Sequence, residues 1–169
     1  MPARILRDYV KRALRKLDLM SKFRLERTLP YEAAKLWEMV GDVERYPEFI
    51  PWITRLNAYN RTSGSEGQSG FDADVAVGFK MLTEKFSTRV TRDATAQTVD
   101  MNLIKGPFRT LDGRWTFTPT DTGTKVAFDM DVVIKNPILD ALFKANIDRA
   151  IGILMRIFEQ RANDLYGKG

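Results

Sequence analysis

Two acid pairs are the first residues whose types and spacing could do chemistry: Asp72 with Asp74, and Asp129 with Asp131. Residues two apart on a β-strand share a face, so each pair would set two carboxylates close enough to hold a hard cation or to raise the pKa of one partner. Both pairs lie in runs whose alternate positions are large and apolar. These are Phe71, Ala73, Val75, Val77, Phe79 and Met81 in the first run, and Val126, Phe128, Met130, Val132 and Ile134 in the second. The acids are therefore expected on the wet side of a sheet, away from any enclosed space. The chain has no cysteine and no histidine. That composition removes Ser-His and Cys-His nucleophile chemistry, leaves no thiolate or imidazole for zinc, copper, haem or iron–sulfur sites, and rules out disulfides. With no matched acid and base directed inward, the expected activity is binding, and the chain is read as non-catalytic.

The elements that would position a binding site follow from periodicity. The chain has 169 residues, 44% of them apolar and 29% charged, which suits one soluble globular domain. Its formal charge is +5. Within residues 1–22, Arg4, Arg7, Lys11, Arg12, Arg15, Lys16 and Lys22 stand against only Asp8 and Asp18, so this arm carries the whole excess and the rest sums to zero. A neutral body with a basic arm argues against a broad phosphate-binding face.

In that arm Ile5, Leu6, Tyr9, Val10, Ala13, Leu14 and Leu17 recur at three- and four-residue spacing, opposite Arg4, Arg7, Lys11, Arg12, Arg15 and Lys16. This is a basic amphipathic helix over residues 1–20, with a domain boundary near residue 21. Such a helix lies on anionic lipid, where each Lys or Arg near the surface adds on the order of 1 kcal/mol, or it docks on its own domain. Met20, directly before the first strand, is also a possible start. The segment lacks the continuous apolar stretch and the cleavage site of a secretory signal, and no run is long enough to cross a membrane as a helix.

From Lys22 to Thr28 the alternation predicts a strand, stopped by Pro30; Tyr31 to Val40 then reads as a short helix. In Tyr46-Pro47-Glu48-Phe49-Ile50-Pro51-Trp52 two prolines four apart allow one helical turn and then a rigid extended lead into a strand. Strands over Thr54–Arg61, Phe71–Met81, Glu84–Arg92, Thr98–Ile104, Trp115–Phe117 and Val126–Ile134 follow, with turns at Ser63–Gly67, Gly106-Pro107, Asp112-Gly113 and Thr122-Gly123. Lys105 to Leu111 reads as a loop, either a gate or a membrane-touching lip if Phe108 and Leu111 stay exposed.

The last segment predicts a helix of about 30 residues, roughly 45 Å long, with Asn136 as N-cap, Pro137 in its first turn and Asp140 near its positive end. Leu139, Leu142, Phe143, Ile147, Ala150, Ile151, Leu154, Phe158, Ala162 and Leu165 form its apolar stripe, and Lys144, Asp148, Arg156, Glu159 and Asn163 its polar face. A stripe so long must lie in something concave. The expected fold is α+β: a curved antiparallel sheet of about seven strands wrapped on a long C-terminal helix, with two short helices after the first strand.

The order of elements, the string Tyr46 to Trp52, the string Lys105-Gly-Pro-Phe-Arg-Thr-Leu-Asp-Gly-Arg-Trp-Thr-Phe-Thr-Pro119 and the helix entered through Lys135-Asn-Pro137 resemble the coenzyme Q-binding START-like family. Its bacterial members are often labelled ribosome-association toxins or polyketide cyclase-type lipid-transport proteins. The resemblance covers about residues 21–166, taken here as the START-like domain 21–169, and implies the helix-grip fold. It further implies a long cavity that holds the tail and ring of ubiquinone, or a related isoprenoid lipid, as ligand rather than catalytic cofactor. The implied role is that of a carrier supporting respiratory electron transport, with a respiratory-chain complex as receiving partner. The basic helix would then contact the inner face of the cytoplasmic membrane through Arg4, Arg7, Lys11, Arg12, Arg15 and Lys16. Two alternatives stay open: a toxin-like inhibitor of ribosomal subunit joining that binds the large subunit, and a polyketide cyclase-like enzyme that steers a reactive chain by cavity shape.

The inward faces offer a greasy wall from Phe79, Met81, Phe86, Met101, Leu103, Phe108, Trp115, Phe117, Phe128 and Met130 toward Phe143, Ile147, Ile151, Leu154, Met155 and Phe158. Residues of these types are also ordinary core, and Met at four of the sites suits an adaptable wall. Tyr46, Pro47, Phe49, Pro51 and Trp52 cap one end of the sheet, and with Gly106, Pro107 and Leu111 they are the candidate entrance. A hydrocarbon tail is buried as well in a bilayer as in a protein, so selectivity must come from donors to the quinone carbonyls. Trp115, Thr88 and Arg92 are the candidate donors, each equally at home as a sheet residue.

Overall fold

Alternating apolar and polar residues generate seven strands, and the Asn136-Pro137 cap starts the one long helix. The computed structural model describes residues 2–19, 21–79 and 82–167, without the side chains of 13–19, 79 and 82. Helix α1 (Ala3–Leu19) precedes β1 (Lys22–Leu29). Then come α2 (Ala33–Gly41), a 3-10 turn (Val43–Arg45) and the single turn α3 (Tyr46–Phe49). The strands β2 (Ile53–Ser63), β3 (Gln68–Phe79), β4 (Leu82–Asp93), β5 (Thr98–Lys105), β6 (Phe108–Thr120) and β7 (Gly123–Ile134) follow, and α4 (Pro137–Tyr166) ends the chain.

The strands form one antiparallel sheet in the order β1-β7-β6-β5-β4-β3-β2. β2 to β7 are a meander, and β1 returns to pair with β7, setting Leu25 opposite Phe128 and Phe23 opposite Met130. One face of the sheet presents Phe71, Ala73, Val75, Val90, Val99, Trp115, Phe117, Val126 and Phe128, all buried, and belongs to the core with Met155, Phe158 and Ala162 of α4. The Asn136 carboxamide oxygen accepts from the N–H groups of Ile138 (3.0 Å) and Leu139 (3.2 Å), closing the helix start as expected.

Three expectations are corrected by the packing. Asp112-Gly113 is not a turn but the middle of β6, where Gly113 pairs with Met130 on one side and Met101 on the other. A Cβ there would lie 3.2 Å from the Met101 methyl and 3.3 Å from the Phe128 ring, so the missing side chain makes room on the inner face. Lys105–Leu111 is likewise not a loop: Gly106-Pro107 alone turns the chain and β6 begins at Phe108. Gly106 has φ +152° and a Cβ on it would fall 2.6 Å from the Phe86 Cβ, so glycine is required by both conformation and contact. Phe108 folds inward, its ring edge-on to Phe86 at 5.5 Å.

The third correction concerns the phase of α4. Leu142, at 57% exposure, and Ala150 and Leu165 face water, whereas the side chain of Lys144, assigned to the polar face, is only 7% exposed. The inward line runs through Asp140, Lys144, Ile147, Ile151, Met155, Phe158 and Ala162, in steps of three and four. Periodicity locates a stripe around a helix; which edge of a broad stripe meets the sheet is set by where the core residues Met155, Phe158 and Ala162 anchor it.

Candidate functional site

The space between sheet and α4 divides into two halves. Around the second half of α4 it is filled. Phe158 lies edge-on to Trp115 at 4.9 Å, to Tyr46 at 5.4 Å and to Phe49 at 5.5 Å, and Trp115 stacks on Phe128 at 4.3 Å. Tyr46 donates its hydroxyl to the Val40 carbonyl, and burial pushes its pKa up. Of the proposed wall, Trp115, Phe117, Phe128, Met155 and Phe158 belong to this packed core.

Around the first half of α4 the packing differs. Ile147 and Ile151 are buried, as is Val132 of β7, yet none of them joins the contiguous core. Leu103, Phe108, Leu111 and Phe143 are half-buried apolar residues outside that core. Phe86, Met101, Met130 and Leu154 are partly buried and packed against the core edge. This end is closed by backbone: the Lys135 N–H donates to the Pro107 carbonyl at 2.9 Å, tying the Gly106-Pro107 turn to the start of α4. Of the remaining wall residues, the Phe79 side chain and Met81 lie outside the described residues.

The two strings assigned to one entrance lie apart. Tyr46 and Phe49 pack on Phe158 and plug the filled half, with Pro47 half-buried and Pro51 exposed beside them. Trp52 leads into β2, its carbonyl accepting from the Gly78 N–H at 2.9 Å. Gly106, Pro107 and Leu111 are at the other half, near the start of α4.

Each of the three candidate donors is taken up by contacts within the fold. Trp115 is enclosed between Phe128 and Phe158. The Thr88 hydroxyl donates to the Asn102 carbonyl at 2.9 Å. Arg92 lies over the Trp37 ring at 4.6 Å, and Trp37 itself donates to the Thr98 carbonyl at 2.9 Å. A charged pair on the inward line of α4 was missed: Lys144 Nζ lies 2.8 Å from Asp140 Oδ2, with side chains 7% and 15% exposed. Stepping back by fours and threes from Phe158 and Met155 would have reached both residues.

The acid pairs hold surface contacts. Asp74 accepts from the Ser87 and Tyr59 hydroxyls (2.6 and 2.8 Å), and Asp72 from the Asn60 amide and Arg89. These hydrogen bonds hold both carboxyls below the usual range, the reverse of what a general acid at neutral pH needs. Asp129 binds Arg24 and Asp131 accepts from Ser21, each at 2.6 Å. They line an open groove of about 490 Å³ together with Phe23, Met130 and Asp100, which is paired with Arg114. Among the described residues no cluster of three or more carboxylates is placed to hold a metal ion.

In α1, Ile5, Leu6, Tyr9 and Val10 are all exposed, as are Arg4, Arg7, Lys11 and Arg12. The alternative in which this face docks on the domain is therefore not what the structure adopts for residues 5–10. Arg15 and Lys16 have side chains outside the described residues. No helix among the described residues is long and apolar enough to cross a membrane.

The ribosome association toxin RatA of Rickettsia prowazekii is 30% identical over 149 residues, covering 86% of this chain and 99% of its own. The mitochondrial coenzyme Q-binding protein coq10 of Schizosaccharomyces pombe is 30% identical over 122 residues, 70% of each chain. Among solved structures, an 18 kDa protein of Caulobacter crescentus superimposes with a TM-score of 0.74 at 42% identity, over 86% of this chain and 98% of that one. A START superfamily protein of Mycobacterium smegmatis gives 0.71 at 21% identity, over 85% and 98%, and supports the fold alone. The expected helix-grip fold and family resemblance both hold: residues 29–159 match the model described as polyketide cyclase / dehydrase and lipid transport, and the chain belongs to that family.

Proposed function

We propose that this protein is a non-catalytic carrier that holds ubiquinone, or a similar polyprenyl lipid, between the sheet and the first half of α4. The observation that carries the reading is the division of the interior. Ile147, Ile151 and Val132 are buried without joining the core, and Leu103, Phe108 and Phe143 are half-buried outside it. An apolar lining outside the packed core is what a hydrocarbon ligand needs, since burying its tail is favourable by about 25 cal/mol per Å². Membership of a lipid-transport family and the coenzyme Q-binding relative point the same way. Residues 1–20 act as a separate arm: the uncovered Ile5, Leu6, Tyr9 and Val10 of α1 and its basic residues bring the carrier to the inner face of the cytoplasmic membrane, where it meets a respiratory-chain complex.

The test is mass spectrometry of organic extracts from protein purified, without detergent, out of a quinone-producing host. A stoichiometric quinone is the expected result; folded protein free of quinone and of any other lipid refutes the carrier.

A second reading has its own support in the relatives named for ribosome association and in the basic arm. In it α1 contacts ribosomal RNA, and binding falls steeply with salt. Deleting residues 1–20 separates the two. The carrier loses liposome sedimentation and keeps its lipid, whereas a ribosome binder loses co-sedimentation with ribosomes in low-salt sucrose gradients and is indifferent to liposomes.

A further inference from the structure

In the first turns of α4 the pattern of the rest of the helix is inverted. Ile138 and Leu142 point to water at 72% and 57% exposure, while Asp140 and Lys144, which an i,i+4 pair on a helix surface would leave in solvent, are turned inward. They stand on the line of Ile147, Ile151, Met155 and Phe158, the line that α4 turns toward the sheet. Enclosing two charges costs several kcal/mol per ion before their mutual attraction is counted, and apolar residues of similar size would fill the position without that cost. Rotating the pair outward would bring Leu142 under cover and the charges into water. A local rule broken in this way is where a binding function is to be sought.

The chemistry of the pair says what it would bind. The Asp140 carboxylate is committed on both oxygens: Oδ1 accepts from the Ile134 N–H at 3.0 Å, and Oδ2 meets Lys144 Nζ at 2.8 Å. It anchors the ammonium to the β7–α4 junction. An ammonium carries three donors, so Lys144 keeps hydrogen-bonding capacity beyond its carboxylate partner. The pair is neutral as a unit, so it offers a donor without a net positive field; an anionic phosphate brought there would leave uncompensated charge in an enclosed place.

We infer that Lys144, held by Asp140, is the head-group anchor of the sheet–helix cavity, donating to a carbonyl or hydroxyl oxygen of a neutral lipid head. The hydrocarbon tail then runs along Ile147 and Ile151 toward Leu154 and stops where Trp115 and Phe158 fill the space. This rests on the carrier reading above and adds the polarity and orientation of its ligand.

The experiment compares decylubiquinone with decylbenzene, which has a similar tail and no carbonyl, by quenching or displacement titration on the full chain. Lys144→Met keeps the apolar stem and removes the donors. It should weaken decylubiquinone binding about tenfold, the equivalent of one charge-assisted hydrogen bond, and leave decylbenzene unchanged, with Lys144→Arg restoring most of the loss. Because Lys144→Met leaves Asp140 unpaired and is liable to unfold, the double variant Asp140→Asn with Lys144→Met is measured beside it and should show the same selective loss. Equal losses for both probes, or wild-type decylubiquinone affinity in the folded double variant, would overturn the anchor while leaving the carrier standing. If wild-type protein binds neither probe, the carrier reading falls and the anchor with it.

Discussion

Replacing Phe158 by alanine tests the division between filled and open interior. Phe158 is 2% exposed and stands edge-on to Trp115, Tyr46 and Phe49, at ring separations of 4.9, 5.4 and 5.5 Å. Truncating a buried Phe costs about 3–5 kcal/mol in transfer and cavity terms. Edge-to-face pairs are each worth about 0.5–1.5 kcal/mol beyond area, so this site belongs at the upper end of that range. For a domain of this size each kcal/mol moves the midpoint by about 2–4 °C, so Phe158→Ala should lower Tm by about 10–20 °C. Phe143, half-buried on the same helix but outside the core cluster, has far less to lose, and Phe143→Ala should cost under about 1.5 kcal/mol while reducing the lipid carried through purification. Thermal and urea melts followed by circular dichroism measure both variants, with lipid content from the same preparations. If Phe143→Ala proves as destabilising as Phe158→Ala, the first half of α4 is packed core like the second, and the cavity argued from it does not exist.

Gly106→Ala is expected to destabilise by about 1–3 kcal/mol, because its new Cβ would meet Phe86 at 2.6 Å on a backbone of φ +152°; a melt within 1 °C of wild type would contradict the geometry of that turn. Asp74 has its pKa lowered first by the Ser87 hydrogen bond and Asp72 first by the Asn60 hydrogen bond. Their contribution is therefore complete above the unfolded-state pKa near 4 and is lost as pH falls through the lower folded values. Asp74→Asn should accordingly flatten the acid limb of Tm against pH between about 4 and 2, and an unchanged slope would remove Asp74 from it. For Tyr46, whose pKa burial raises, the sign is opposite: its contribution is complete below about pH 10 and is lost as pH rises beyond it, so Tyr46→Phe should soften the alkaline limb, and an equally steep limb would point to another group. Removing residues 1–20 should leave Tm within about 2 °C, since Ile5, Leu6, Tyr9 and Val10 cover nothing in the domain; a larger drop would mean that α1 supports the fold.

What the sequence by itself determined depends on near neighbours along the chain, though not every local signal held: Asp112-Gly113 reads as a turn and lies in the middle of β6. Strict alternation marked the strands, because a pleated backbone sends successive side chains to opposite faces whatever they meet there, and it correctly sent Asp72, Asp74, Asp129 and Asp131 away from the interior. Asn136-Pro137 marked the start of α4 because a cap is satisfied within three residues. The absence of His and Cys bounded the chemistry before any fold was known. Only the tertiary structure decided what depends on distant partners. It put β1 beside β7, turned Phe108 inward onto Phe86, and enclosed Trp115 so that it faces rings rather than a ligand. It also set the phase of α4, and so hid Lys144 and exposed Leu142. A helical period specifies angles between residues of one helix, but the rotation of that helix against a sheet is chosen by the whole contact surface, here by Phe158 and Met155 against Trp115 and the core.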